Sequence, residues 1–191
     1  MRKVREELGG INMEEFANYV FNEEDFIKKM EIVYYLQKRT GIFFDNSVIL
    51  KAELAKLFME KMELDVDKNL VLTACLLYNC KKVDTPKNFE DFKKFPKLSS
   101  DYLKSLGFDK KFCEICEGQS RYSTLETRSK ESEVIELVEQ FGGMILHRPE
   151  RIAFSVEDAM CLLEFRNLKN RENRYLEKFK EFIVEMEGVK I

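Results

Sequence analysis

The stretch Thr73 to Pro86, TACLLYNCKKVDTP, constrains this chain more than any other segment. Leu70, Ala74 and Leu77 recur at helical spacing, and Leu72, Leu76 and Cys80 widen the apolar face beyond what a half-exposed helix needs. A helix that is apolar round most of its circumference has to be enclosed, so several other helices must pack against it. Asp67 stands where a side chain can accept the first free N–H groups, and Pro86 closes the segment that begins at Thr73. The fold expected is all-α, with Thr73–Asn79 its most buried helix.

Composition agrees. The chain has 191 residues, 45% hydrophobic and 12% aromatic, which excludes a disordered polymer and supplies a real core. Eight glycines and three prolines are few, and the 35% charged residues mix Glu with Lys as helix surfaces do. A net charge of −3 argues against whole-surface attraction to nucleic acid. The N-terminus has no apolar core of signal-peptide length and no stretch is long and uncharged enough to span a membrane, so a cytoplasmic protein without membrane partners is expected. Five cysteines in such a chain are expected as reduced thiols. The Lys- and Phe-rich usage is of the kind associated with AT-rich bacterial genomes.

Residues 1–12, with Gly9-Gly10, read as a flexible lead-in, and 13–191 as one helical domain. A short amphipathic helix over Met13–Phe21 turns Phe16, Tyr19 and Val20 inward. Asn22 then caps a helix running to about Arg39, with Gly41 as its stop. Ser47 opens a helix with Leu50, Leu54, Leu57 and Phe58 on its inner face. Lys87–Lys97 reads as a connector ended by Pro96, followed by short helices capped at Ser99 or Ser100 and at Asp109 and stopped at Gly107. Ser129 or Ser132 begins a helix through Ile135, Val138 and Met144. Ser155 with Asp158 makes a capping box for a helix to about Leu168, and a last helix runs from Glu172 to Met186 before Gly188. Leu54, Leu57, Phe58, Ala74, Leu77, Ile135, Val138, Phe141 and Leu162 are the expected core.

Several of these segments together resemble the HD phosphohydrolase superfamily, over roughly Asn46 to Ile183. LLYNCKKVDTP is similar to that family's L-L-H-D-I-G-K pattern, with Tyr78-Asn79 standing for its His-Asp pair and Lys82 for its lysine. FDNSVILKAELAKLF resembles the region before the H-D helix, and Asn46 stands where the first ligand histidine would be. From FPKLSSDYLKSLGF to CEICEGQSRY the chain is similar to a segment of HD-GYP proteins, with Phe95 in place of one histidine and Gly118-Gln119 in place of a histidine pair. FGGMILHRPERIAFSVEDAM is similar to the R-P-Y-R and Ser-Pro-Glu-Glu-Ala string: Arg148, Pro149, Arg151, Ala153, Ser155, Glu157 and Ala159 match it, and Glu139 matches the preceding helix aspartate.

The resemblance implies a single HD-like helical bundle whose metal centre has been dismantled. Active members hold a divalent metal with imidazoles and carboxylates to make a nucleophile from water. This chain has one histidine, His147. Such a bundle, like HDOD-type output modules that lack the ligands, is expected to be a regulatory or protein-interaction module without a cofactor. It would act on a cytosolic protein partner or on a second copy of itself. The alternative is a metal-dependent phosphohydrolase with a rebuilt, acid-only metal centre at Glu139.

Three constellations could still carry chemistry. Asn46, Tyr78, Asn79, Lys82, Glu139, Arg148 and Arg151 could line the relict pocket and hold an anionic nucleotide, because losing a metal leaves side-chain cations and neutral donors to take a phosphate. Lys81 is a further cation at that place. Cys75, Cys80, Cys113 and Cys116 could converge as a thiolate zinc site, against which stands the ordinary burial of cysteine. His147 beside Arg148 and Arg151 could do acid–base work, or simply be a solvated helix-end histidine.

Overall fold

The computed structural model describes residues 12–40, 47–82, 89–147, 151–169 and 172–188. Expectations resting on the lead-in, Gly41, Asn46, Arg148 and Pro149 lie outside them. Among the described residues the fold is all-α: α1 (Met13–Asn22), α2 (Phe26–Thr40), α3 (Ser47–Lys61), α4 (Lys68–Leu77), α5 (Phe89–Ser105), α6 (Lys110–Gly118), α7 (Lys130–Ile145), α8 (Val156–Leu162) and α9 (Leu176–Glu187). A π-helical turn, Leu163–Asn167, continues α8.

α4 is the axis. Asp67 caps it by accepting the Leu70 N–H, and every residue from Leu70 to Asn79 is buried. α1, α2, α3, α6 and α7 all pack on it. Its one hydroxyl inside the helix, Thr73, is satisfied by donating to the Asn69 carbonyl and accepting from Lys29 Nζ, each within 2.8 Å. Phe58, Phe141, Phe179 and Phe182 bring α3, α7 and α9 together, with Phe58 and Phe179 edge-to-face at 4.9 Å.

Several sequence expectations need correction. Asn22 does not cap α2. Asp25 does, accepting the Lys28 N–H at 2.8 Å, while Asn22 bonds back to the Asn18 carbonyl. The segment read as a connector is helical through Pro96, and Ser99 and Ser100 lie inside α5 rather than at its start. An interior proline forfeits an N–H bond and crowds the carbonyl one turn before it, and with Phe95 and Pro96 both buried, packing outweighs that cost. Ser99 instead accepts the Lys81 N–H at 3.1 Å. On α3 the inner face is Val48, Lys51, Ala52, Ala55, Phe58 and Met59, so Leu57 is exposed and Leu54 half-buried. Leu163, not Leu162, enters the core. The last helix begins at Leu176 rather than Glu172, because Asn173 spends its side chain on the Glu133 carbonyl and the Glu136 carboxylate of α7. Asp67, Asp109, Ser129 and Ser155 do cap the helices that follow them. At Ser155 the box is incomplete: its hydroxyl both accepts the Asp158 N–H and contacts the Asp158 carboxylate.

Candidate functional site

A cavity of about 250 Å³ opens where the end of α4, α5, the loop after α6, α7 and the π-helical turn meet. Among the described residues its wall carries three cations, Lys82, Arg121 and Arg151, and one carboxylate, Glu139. Gln119, Gln140 and Asn167 add side-chain amides, and Phe95, Tyr122 and Met144 add apolar surface.

Local structure sets each of these groups. After α4 the chain turns through hydrogen bonds from Cys80 N–H to Leu77 O and from Lys82 N–H to Asn79 O. That turn splits the two lysines. Lys81 Nζ lies 4.1 Å from the centre of the Tyr102 ring, whereas Lys82 reaches toward Phe95 and the cavity. Arg151 donates to the Met144 and Gly143 carbonyls at 3.2 and 2.6 Å, tying the loop to the C-terminal end of α7. Arg121 donates to Asn167 Oδ1 at 3.0 Å, joining the loop after α6 to the π-helical turn. A buried carboxylate holds that loop from behind: Glu136 takes the Lys169 N–H and the Asn173 amide, and Arg128 lies 2.8 Å from it. Burial pushes the Glu136 carboxyl up in spite of the Arg128 charge.

Two amides are buried without full satisfaction. Gln119 on the wall is 1% exposed and Asn79, at the end of α4, 2% exposed, and neither NH₂ group has a partner among the described residues. Buried donors normally find acceptors, so the Gln119 amide is an unspent donor within the wall.

Below the wall lies a side chain that the sequence did not single out. Lys51 is fully buried, and its ammonium donates to the Tyr78 hydroxyl at 3.1 Å and faces Glu139 Oε1 at 3.4 Å. Gly142 leaves room for the lysine stem, since a Cβ there would stand 3.0 Å from Lys51 Cγ. Of the sequence candidates, then, Lys82, Glu139 and Arg151 share the cavity wall, Tyr78 and Asn79 are buried, and Asn46 and Arg148 lie outside the described residues.

A divalent metal does not fit these positions. A phenol, an amide and a carboxylate already facing an ammonium give one anionic ligand, and the fixed positive charge of Lys51 opposes a second cation. Among the described residues no three His, Cys, Asp or Glu side chains converge as a metal site, so the four-thiol constellation is not assembled. Burial explains the thiols: it pushes Cys75 up to about 12, Cys80 and Cys113 to about 11, and Cys116 well up, so they stay protonated. His147 is exposed, off the cavity wall, and accepts the Ala153 N–H at 3.4 Å.

Compared with known proteins, the chain matches no family model, no curated protein and no solved structure.

Proposed function

We propose that this chain is a non-catalytic, HD-like regulatory or interaction module whose cavity holds a small ligand bearing a phosphate or similar oxyanion. The observation that carries this reading is the donor set on the cavity wall: among the described residues, three cations against one ion-paired carboxylate, with the buried Gln119 amide lacking a partner there. Guanidinium and ammonium donors form short, strong hydrogen bonds to oxyanions. About 250 Å³ is below the usual range for drug-sized ligands, so a single phosphorylated group is enclosed and a cyclic dinucleotide is not. The interaction part of the reading draws on α3, where Leu50 and Leu57 are exposed and Leu54 is half-buried on one helical stripe. A cytoplasmic setting with a protein partner belongs to the same proposal. No helix among the described residues is long and apolar enough to cross a membrane.

The test is calorimetry with inorganic phosphate, a nucleoside monophosphate, a (p)ppGpp-type nucleotide and a cyclic dinucleotide. Salt-sensitive binding of the smaller probes is expected, weakened about 10- to 100-fold by Lys82→Ala or Arg151→Ala. Silence with every probe at millimolar concentration would remove the ligand. Turnover of a phosphodiester with added Mn²⁺, surviving purification and abolished by Glu139→Gln, would establish the competing phosphohydrolase reading instead.

A further inference from the structure

We infer that Lys51, which does not itself line the cavity, decides the sign of charge that the cavity accepts. The inference rests on reading the cavity as an anion site, and it names the residue that makes the site anion-selective. Glu139 is the wall's one carboxylate among the described residues, and its side chain is 14% exposed, so its field reaches any ligand. A bare carboxylate there would offset a neighbouring cation and repel a phosphate. Lys51 prevents this from inside the protein, because its ammonium lies 3.4 Å from Glu139 Oε1 and is held by the Tyr78 hydroxyl at 3.1 Å.

The arrangement is built, not incidental. Lysine is rarely fully buried unless paired, and the stem of Lys51 passes against Gly142, where a Cβ would come within 3.0 Å of Cγ. Glu139 and Gly142 sit one turn apart on α7, so the same helix face supplies both the carboxylate and the space for the lysine that neutralises it. Lys82 and the charge of Arg121 and Arg151, whose guanidinium groups also hold the loops through Asn167, Met144 and Gly143, thereby act on the ligand instead of on Glu139.

At the effective dielectric of a partly buried site, one unit of charge at this depth changes the affinity for a phosphate group by roughly tenfold. Phosphate and nucleoside monophosphate affinities are measured by calorimetry at constant ionic strength on the wild type and three variants. Glu139→Gln is expected to bind about tenfold more tightly and Lys51→Met about tenfold more weakly. The double variant, which removes the pair together, should return to within about threefold of wild type. A purely structural role for Lys51 would weaken binding in both single variants and would not be rescued in the double. Equal shifts of one sign, or none, overturn the inference while leaving the anion site standing. If Lys51→Met does not fold, Glu139→Gln and the double variant still decide it. A wild-type protein that binds neither probe removes the anion reading itself, and this inference with it.

Discussion

Two lysines, Lys29 and Lys51, are buried as completely as any core residue, and the molecule uses them in opposite ways. Lys29 caps the C-terminal end of α1, donating to the Val20 carbonyl and the Thr73 hydroxyl at 2.8 Å, with the Phe21 carbonyl at 3.5 Å. These partners are neutral oxygens, and burial lowers the Lys29 pKa to about 8. Lys51 meets a carboxylate that also faces the cavity. One lysine closes a junction between helices, and the other pairs with a carboxylate on the cavity wall. Burial of a charge is therefore no indicator of function until its partner is known.

The comparison can be broken most directly at Lys51. Replacing it by Met leaves Glu139 beside an apolar chain, and the expected cost is about 3 to 4 kcal/mol, read as a fall of roughly 6 to 16 °C in the melting midpoint. Adding Glu139→Gln should recover most of that loss. A cost below about 1 kcal/mol in the single variant would show that the pair is not a coupled unit.

Alkali probes the Lys29 side. The thiols of buried Cys75, Cys113 and Cys116 and of half-buried Cys80 have pKa values raised above the 9.0 they take in the unfolded chain, so the stability they give is present below pH 9 and is lost as pH climbs toward their folded values. Lys29 works the other way. Its folded pKa of about 8 lies under the unfolded 10.5, so the unfolded chain holds more protons between these values and stability rises across that window. Each group contributes at most about 1.4 kcal/mol per pH unit, so four thiols outweigh one lysine. Denaturant melts should show little change from pH 7 to 9 and a net loss of about 2 to 3 kcal/mol by pH 10. In Lys29→Met the loss should begin about one unit earlier and be steeper.

At neutral pH Lys29→Met is expected to cost only about 1 kcal/mol, because the lost bonds to Val20 and Thr73 are offset by the burial penalty that disappears with the charge. Asn69 still donates to the Phe21 carbonyl, and Thr73 to the Asn69 carbonyl. Smallest of all, Leu57→Ala, at an exposed position that sequence spacing had assigned to the core, should change stability by less than about 0.5 kcal/mol.

The axial helix was legible because its signal is one of composition: twelve consecutive residues without charge, from Asn69 to Cys80, have few other ways to fold. α3 was legible as a helix and not as a face. Its leucines at 50, 54 and 57 form as regular a stripe as the true one at 48, 52, 55, 58 and 59, and an intervening lysine looks like evidence for solvent. The paired glycines 142 and 143 on α7 were the available hint that something bulky passes there. The wall residues Arg121, Tyr122 and Asn167 lie in a loop and a π-helical turn, where no periodicity announces direction. Lys82, Glu139 and Arg151 were found through the resemblance to an HD pattern, and Pro96 misled because a rule about the preceding residue was applied without the packing that overrides it.

The π-helical turn Leu163–Asn167 holds one more residue per turn than the α-helix it extends, and Asn167, its last member, reaches the cavity. That surplus makes the segment tolerant of a one-residue deletion, which would tighten it into regular α-helix. Each residue of an α-helix advances about 100° round the axis, so the same deletion would swing Asn167 off the wall and release Arg121 from its side-chain acceptor. Chain length at this point, independent of any change in side-chain chemistry, is thus a lever by which a lineage could acquire or discard the cavity while the axial helix and its packing stay as they are.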